Sequence, residues 1–308
     1  MAIEDDRKPV SIDDQYAIGL STQVSTVLSL FGKRISAYIG IMLIPVIYSF
    51  LFSTIMYLVF GEEMLSYIRY LGSEPVSFIY GILLLQSEPI SPSVFAPFIG
   101  VGGVLMLIGF VLNILVLGAA VSIALRTYTG QDSSMGSGFG SALERFPTLL
   151  VVMLIIGSIY ATIMIPIQES LVLLYDATIA MDLDAMMQVS GTLLALAIVY
   201  ILVVAFFYPN GAVVMGEDQG TGGSISRTIG LTRNNYLHAL AGIILFHVIL
   251  VVITLAIDLG LGFFIGDLAL LVTPFASMLI ITPLTYIYQA VLYKDLAARS
   301  IQTKEEYW

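Results

Sequence analysis

Six stretches of this chain stay apolar for about twenty residues or more, and that constrains its folding more than any motif does. They run roughly over 36–60, 97–125, 148–174, 190–214, 237–265 and 268–293. A hydrocarbon core about 30 Å thick is crossed by about 20 apolar residues in a helix. Within it each backbone N–H and C=O must find its partner inside the protein. The expected fold class is therefore all-α: a polytopic membrane protein with six transmembrane helices in three hairpins. Composition agrees, since 58% of the 308 residues are hydrophobic and 11% charged, against about 25% charged in soluble domains. The opening twenty residues lack a basic stretch followed by an apolar core, so no cleavable signal peptide is expected and insertion would use an internal helix.

Charge orients the spans. Eleven of the twelve Lys and Arg residues fall in the N-terminal segment, the connections 126–147 and 215–236, or the C-terminal tail; the other side holds Arg69. That asymmetry places both termini in the cytoplasm of an archaeal or bacterial cell membrane. Acidic residues show the reverse bias, so the net charge of −10 belongs mainly to the outer face. Such a face suits a high-salt habitat or attracts cations, and solvated loops explain it equally well. It disfavours nucleic acid as a partner.

Three segments share an order of features: "STVLSLFGKRISAYIGIMLIPVI", "GSALERFPTLLVVMLIIGSIYA" and "SISRTIGLTRNNYLHALAGIILF". Each has a short amphipathic stretch, then basic residues, then a transmembrane run. Val24, Val27, Leu28, Phe31 and Ile35 follow helical spacing in the first, Phe139, Leu143 and Phe146 in the second, and Ile225 and Ile229 in the third. This is the pattern of a helix lying in the membrane interface. The expected unit, used three times over about 21–125, 137–214 and 224–293, is an interfacial helix followed by a hairpin. Residues 1–20 and 296–308 are expected as cytoplasmic tails around one transmembrane domain, 21–295. The Gly- and Ser-rich stretches 129–140 and 216–224 serve as hinges. Lys33, Arg34, Arg145, Arg227 and Arg233 are the candidate lipid-headgroup residues, with Arg34, Arg145 and Arg233 at matching depths.

The alternation of interfacial helices and hairpins, with "FFYPNGAVVMGEDQGTGGSISRTIGLTRNNY" and "LYKDLAAR", resembles the membrane domain associated with some glycerophosphodiester phosphodiesterases and related six-span prokaryotic proteins. The likeness covers about residues 20 to 300 and rests on pattern. The catalytic barrel of those enzymes has no counterpart in this sequence, so the resemblance implies a membrane architecture and no enzymatic activity.

Polar residues at membrane depth are functional candidates. Here they are Asn113, Tyr208, Asn210 and His247. Pro209 lacks an N–H and frees the carbonyl of Ala205, which kinks the fourth span ahead of Glu217 and Asp218. A broken helix beside carboxylates is one way transporters build ion sites, although proline also occurs in three other spans. His247 reads more plainly as a neutral imidazole bonded to a hydroxyl of a neighbouring helix. His238 lies nine residues before it, half a turn round the helix, so the two share no metal. Asn113 reads as interhelical glue. Gly100, Gly102, Gly103, Gly109, Gly118, Ala119, Ala120 and Ser122 permit close helix approach in the second span, and 75–86 reads as a short interfacial or re-entrant element.

Walker, zincin and nucleophile-elbow motifs are absent and cysteine is missing, so no catalytic residue, metal or cofactor is expected. The favoured function is a non-enzymatic membrane protein that organises lipids or partner subunits; a transporter or channel for a small solute or ion is the alternative. Membrane lipids, further membrane subunits or a second copy of the chain are the expected partners.

Overall fold

The computed structural model describes residues 17–71 and 98–305. The expected element at 75–86 lies outside them. The described residues form helices and no strand: α1 (Leu20–Lys33), α2 (Ile35–Leu71), a π-turn (Phe98–Gly102) leading into α3 (Gly103–Tyr128), α4 (Met135–Glu144), α5 (Phe146–Ile179), α6 (Leu183–Phe207), α7 (Asn210–Gly216), α8 (Thr221–Asn234), α9 (Tyr236–Ile265) and α10 (Ala269–Glu305). Six segments are long and apolar enough to cross a membrane. The protein is an all-α polytopic membrane protein. Leu107, Leu194, Phe263 and Phe264 are exposed on these helices, as side chains facing hydrocarbon would be.

Local chemistry explains the breaks. Pro209 ends α6 two residues after Phe207, and its carbonyl starts α7 by accepting from the Val213 N–H at 3.0 Å. Three short helices, α1, α4 and α8, each precede a spanning helix and are parted from it by one residue: Arg34, Arg145 and Asn235. Backbone hydrogen bonds bridge these corners. Each corner N–H reaches back into the short helix, and each corner carbonyl accepts from the residue four ahead: Tyr38 at 3.1 Å, Leu149 at 3.0 Å and Ala239 at 2.9 Å. Pro147 cannot donate to the Leu143 carbonyl, which turns the second corner. The Asn235 amide caps the Leu231 carbonyl at the third.

Burial keeps the same register at all three corners. Seven residues before them Val27, Gly138 and Thr228 are buried; four after, Tyr38, Leu149 and Ala239; seven after, Ile41, Val152 and Gly242. The matching corner residues are Arg34, Arg145 and Asn235. Arg233 sits two positions ahead of its corner, so the expected alignment of Arg34, Arg145 and Arg233 is off by two in the third segment.

The buried faces of the short helices are mixed in character. In α1 they are Gln23, Val27 and Leu30, in α4 Gly138 and Ala142, and in α8 Ser224, Thr228, Leu231 and Thr232. Of the apolar residues on which the amphipathic reading rested, Val27 is buried, while Leu28 is 47% exposed, Leu143 60% and Ile229 36%.

The chain divides into two compact units. One gathers the described parts of Met1–Leu43, Ile114–Val152 and Ala205–Trp308. In it α10 packs against α1, α7, α8 and α9. At its centre Phe246 stacks on Tyr288 with ring centroids 4.1 Å apart, and Tyr208 meets Tyr288 edge-on. Gly242 is required here, because a Cβ would come within 2.6 Å of the Tyr288 hydroxyl. Gly118 plays the same part between α3 and Leu149. The other unit holds Ile44–Asn113 and Met153–Val204. There the Tyr48 hydroxyl donates to the Leu105 carbonyl with its ring over Gly109, and Tyr160 packs edge-on against Tyr200. The tail expected at 296–308 continues α10 through Glu305, since Asp295 and Arg299 anchor that last stretch to the first unit.

Candidate functional site

The polar chemistry of the first unit gathers at two carboxylates and one cleft. Asp295, on α10, is fully buried. Its Oδ1 accepts from the Ile18 N–H at 2.8 Å, and its Oδ2 from Gln23 Nε2 at 2.9 Å; Arg299, one turn on, donates Nε to both oxygens at 3.2 and 3.1 Å. His238 Nε2 lies 2.8 Å from Oδ2. That nitrogen is also 3.1 Å from Gln23 Nε2. An unprotonated Nε2 would set its lone pair against the carboxylate, so the network assigns the proton to Nε2, donating to Asp295. Gln23 is oriented from its other end, where Oε1 accepts from the Tyr288 hydroxyl at 3.1 Å. Arg299 closes the ring by donating to the Ile18 carbonyl at 2.8 Å. A buried carboxylate needs this many donors, because desolvation otherwise costs several kcal/mol. The result fastens α1 and the residues before it to α9 and α10.

Glu217 organises the second node. Its Oε1 accepts from Arg227 Nε at 2.9 Å and the Tyr293 hydroxyl at 3.0 Å, its Oε2 from Gln219 Nε2 at 2.8 Å, and its carbonyl from Arg145 at 2.6 Å. Arg145 also pairs with the exposed Asp218 at 3.2 Å. This node ties the corner after α4 to the loop after α7, to α8 and to α10.

Beside it lies a cleft of about 280 Å³ whose polar lining includes Ser122, Arg126, Ser141, Glu144, Arg145 and Lys294. Arg126 donates to Ser141 Oγ at 2.9 Å. Lys294 Nζ is 5.7 Å from the centre of the Tyr293 ring. Among the described residues neither Arg126 nor Lys294 forms an ion pair.

The residues expected to meet lipid headgroups divide. Arg34 pairs with Asp132, Arg145 with Asp218, and Arg227 with Glu217, so these three hold the chain together. Lys33 and Arg233 are exposed at the ends of α1 and α8. Of the intramembrane candidates, Tyr208 and Asn210 are buried around the α6–α7 break, and the Tyr208 ring meets His247 edge-on at 5.7 Å. His247 is exposed on α9, and its Nδ1 bonds the Ile243 carbonyl of its own helix at 2.8 Å. That replaces the expected hydroxyl of a neighbouring helix. Asn113 is half-buried in the second unit. Glu217 does not stand open beside the broken helix, since Arg227, Tyr293 and Gln219 occupy its oxygens.

Sequence reasoning missed Asp295, Gln23 and Tyr288. The available signals were Asp295 one turn before Arg299, in an apolar helix, and Gln23 in register with Val27 and Leu30. Among the described residues no group of three or more acidic or histidine side chains is placed to hold a metal. The chain matches no protein-family model, no curated protein and no solved structure.

Proposed function

We propose that this integral membrane protein is non-enzymatic and organises lipids or partner subunits along the cytoplasmic side of the membrane. One observation carries the reading. Each of the three short helices leaves a large apolar residue exposed, Leu28, Leu143 and Ile229, while Gln23, Ala142 and Thr228 are among the residues it buries. A helix lying at the acyl–headgroup boundary has this arrangement, with Lys33 and Arg233 exposed at the helix ends to reach phosphate. The cytoplasmic assignment follows the excess of basic residues on that side.

Transport draws support from the α6–α7 break and the buried Asn210. It draws none from Glu217, which is already paired, or from His247, which is exposed and bonded to its own helix. The resemblance to phosphodiesterase-associated membrane domains enters as architecture and brings no activity with it.

Native mass spectrometry of protein released gently from its own membrane, together with solute and ion flux in proteoliposomes, tests the proposal. Defined retained lipids or a stoichiometric second subunit, without flux, is the expected result. Saturable flux that disappears in Asn210→Ala would overturn it.

A further inference from the structure

We infer that the cleft between α3, α4, α7 and α10 is a binding site for a single phosphate group, carried by an anionic lipid headgroup or by free phosphate. The inference rests on the lipid-organising reading for its location and on the cleft's own chemistry for its ligand. Arg126, Arg145 and Lys294 bring three cations to one concavity of about 280 Å³, and Glu144 is the acidic side chain in its lining. Arg145 has its charge answered from outside by Asp218, whose side chain is 98% exposed. Arg126 and Lys294 are half-buried with no carboxylate partner among the described residues. Glu144 in the lining and Glu217 near Lys294 offset part of that charge, and the three cations of the lining still outnumber its one carboxylate, which favours an anion between them.

The cleft is also shaped in advance. Ser141 holds the Arg126 guanidinium at 2.9 Å, which fixes one donor fork before any ligand arrives. Gly216 also lines the cleft, and a Cβ there would come within 3.0 Å of the Tyr293 ring. The Ser122 hydroxyl shares the lining, while Ser141 accepts from Arg126 and donates to the Ser137 carbonyl at 3.1 Å. Pockets for drug-sized ligands occupy roughly 300–1,000 Å³. A cleft just below that range has room for one compact anion. Bidentate arginine with a flexible lysine is the donor set that phosphate oxygens favour.

The test uses the full chain in nanodiscs. In one arm the discs are pure phosphatidylcholine and inorganic phosphate is titrated by calorimetry. In the other, phosphatidylglycerol is mixed into the phosphatidylcholine, and the lipid kept by the protein on ejection is identified by native mass spectrometry. The double variant Arg126→Gln/Lys294→Gln is expected to weaken whichever anion binds by at least about tenfold, the loss of charge-assisted bonds to one phosphate. Ser141→Ala, which releases Arg126 without removing a charge, should weaken it by a smaller factor and guards against misfolding of the double variant. Glu144→Gln, which removes the acidic side chain of the lining, should tighten binding. Selective retention of phosphatidylglycerol identifies a headgroup site; a phosphate isotherm without lipid preference identifies a free-anion site. Absence of both from the wild type, or binding unchanged in Arg126→Gln/Lys294→Gln, would overturn the inference. Such a failure leaves the lipid-organising proposal standing, whereas solute flux with cleft binding intact would reject that proposal and keep the site.

Discussion

Replacing Asp295 is the most direct way to ask whether the first unit is held together as described. In Asp295→Ala the Ile18 N–H, the Gln23 amide and the His238 imidazole each lose an acceptor, and the Arg299 guanidinium loses its counter-charge. A buried donor left without a partner costs about 1–3 kcal/mol. Removing one member of a buried pair costs about 3–5 kcal/mol. Arg299 is 26% exposed and recovers part of its solvation from water, so about 3 kcal/mol is the fair expectation for the whole node. That is more than a hundredfold shift in the unfolding equilibrium. Asp295→Asn keeps shape and one acceptor oxygen and should lose less. Because the bonds from Ile18 and Gln23 to Asp295 are two of the four polar ties to α10, the others being Tyr288 to Gln23 and Arg299 to Ile18, the loss should be local first. Limited proteolysis of the protein in mild detergent should cut near residues 17–33 well below the global melting temperature. A double-mutant cycle with Arg299→Ala should return a coupling of at least about 1 kcal/mol. An alanine variant within about 1 kcal/mol of wild type, with α1 still protected, would refute the reasoning.

Three further predictions use other parts of the chain. Gly242→Leu forces a side chain against the Tyr288 hydroxyl and Gln23 and should cost about 1–3 kcal/mol in thermal unfolding, whereas Gly260→Ala, in open space, should cost far less. His247→Phe should fold and melt like wild type, because the ring is exposed and bonds a carbonyl of its own helix; a large loss of stability would show that the imidazole has a partner worth more than that bond. The absence of native cysteine permits single-cysteine labelling. Met181→Cys, exposed between α5 and α6, should react with an impermeant maleimide on intact cells, and Lys33→Cys after permeabilisation; the reverse pattern would invert the orientation.

Positions of the spanning helices were readable in advance: 237–265 was expected and Tyr236–Ile265 is found, 148–174 against Phe146–Ile179. The helices overrun their apolar runs because the backbone keeps its hydrogen bonding past the point where side chains turn polar. The longest overrun, α10 to Glu305, has a tertiary cause in Asp295 and Arg299. The candidate site was far less legible. Arginines were visible, but whether each meets lipid or a carboxylate of its own chain is set by partners such as Glu217, which bonds Tyr293 across 76 positions.

Apolar length by itself determined the membrane, the helical class and the number of spans, because a backbone in hydrocarbon has few ways to satisfy its polar groups. Proline and glycine placed most of the breaks. Tertiary structure alone decided which face of each short helix turns inward. In water an apolar stripe marks the buried side, but beside lipid both the protein and the solvent accept apolar atoms, so the stripe no longer tells inside from outside. That is why Leu28 faces out while Gln23 is buried, and why the bond from Gln23 to Asp295, 272 positions along the chain, left no mark in the hydrophobic pattern.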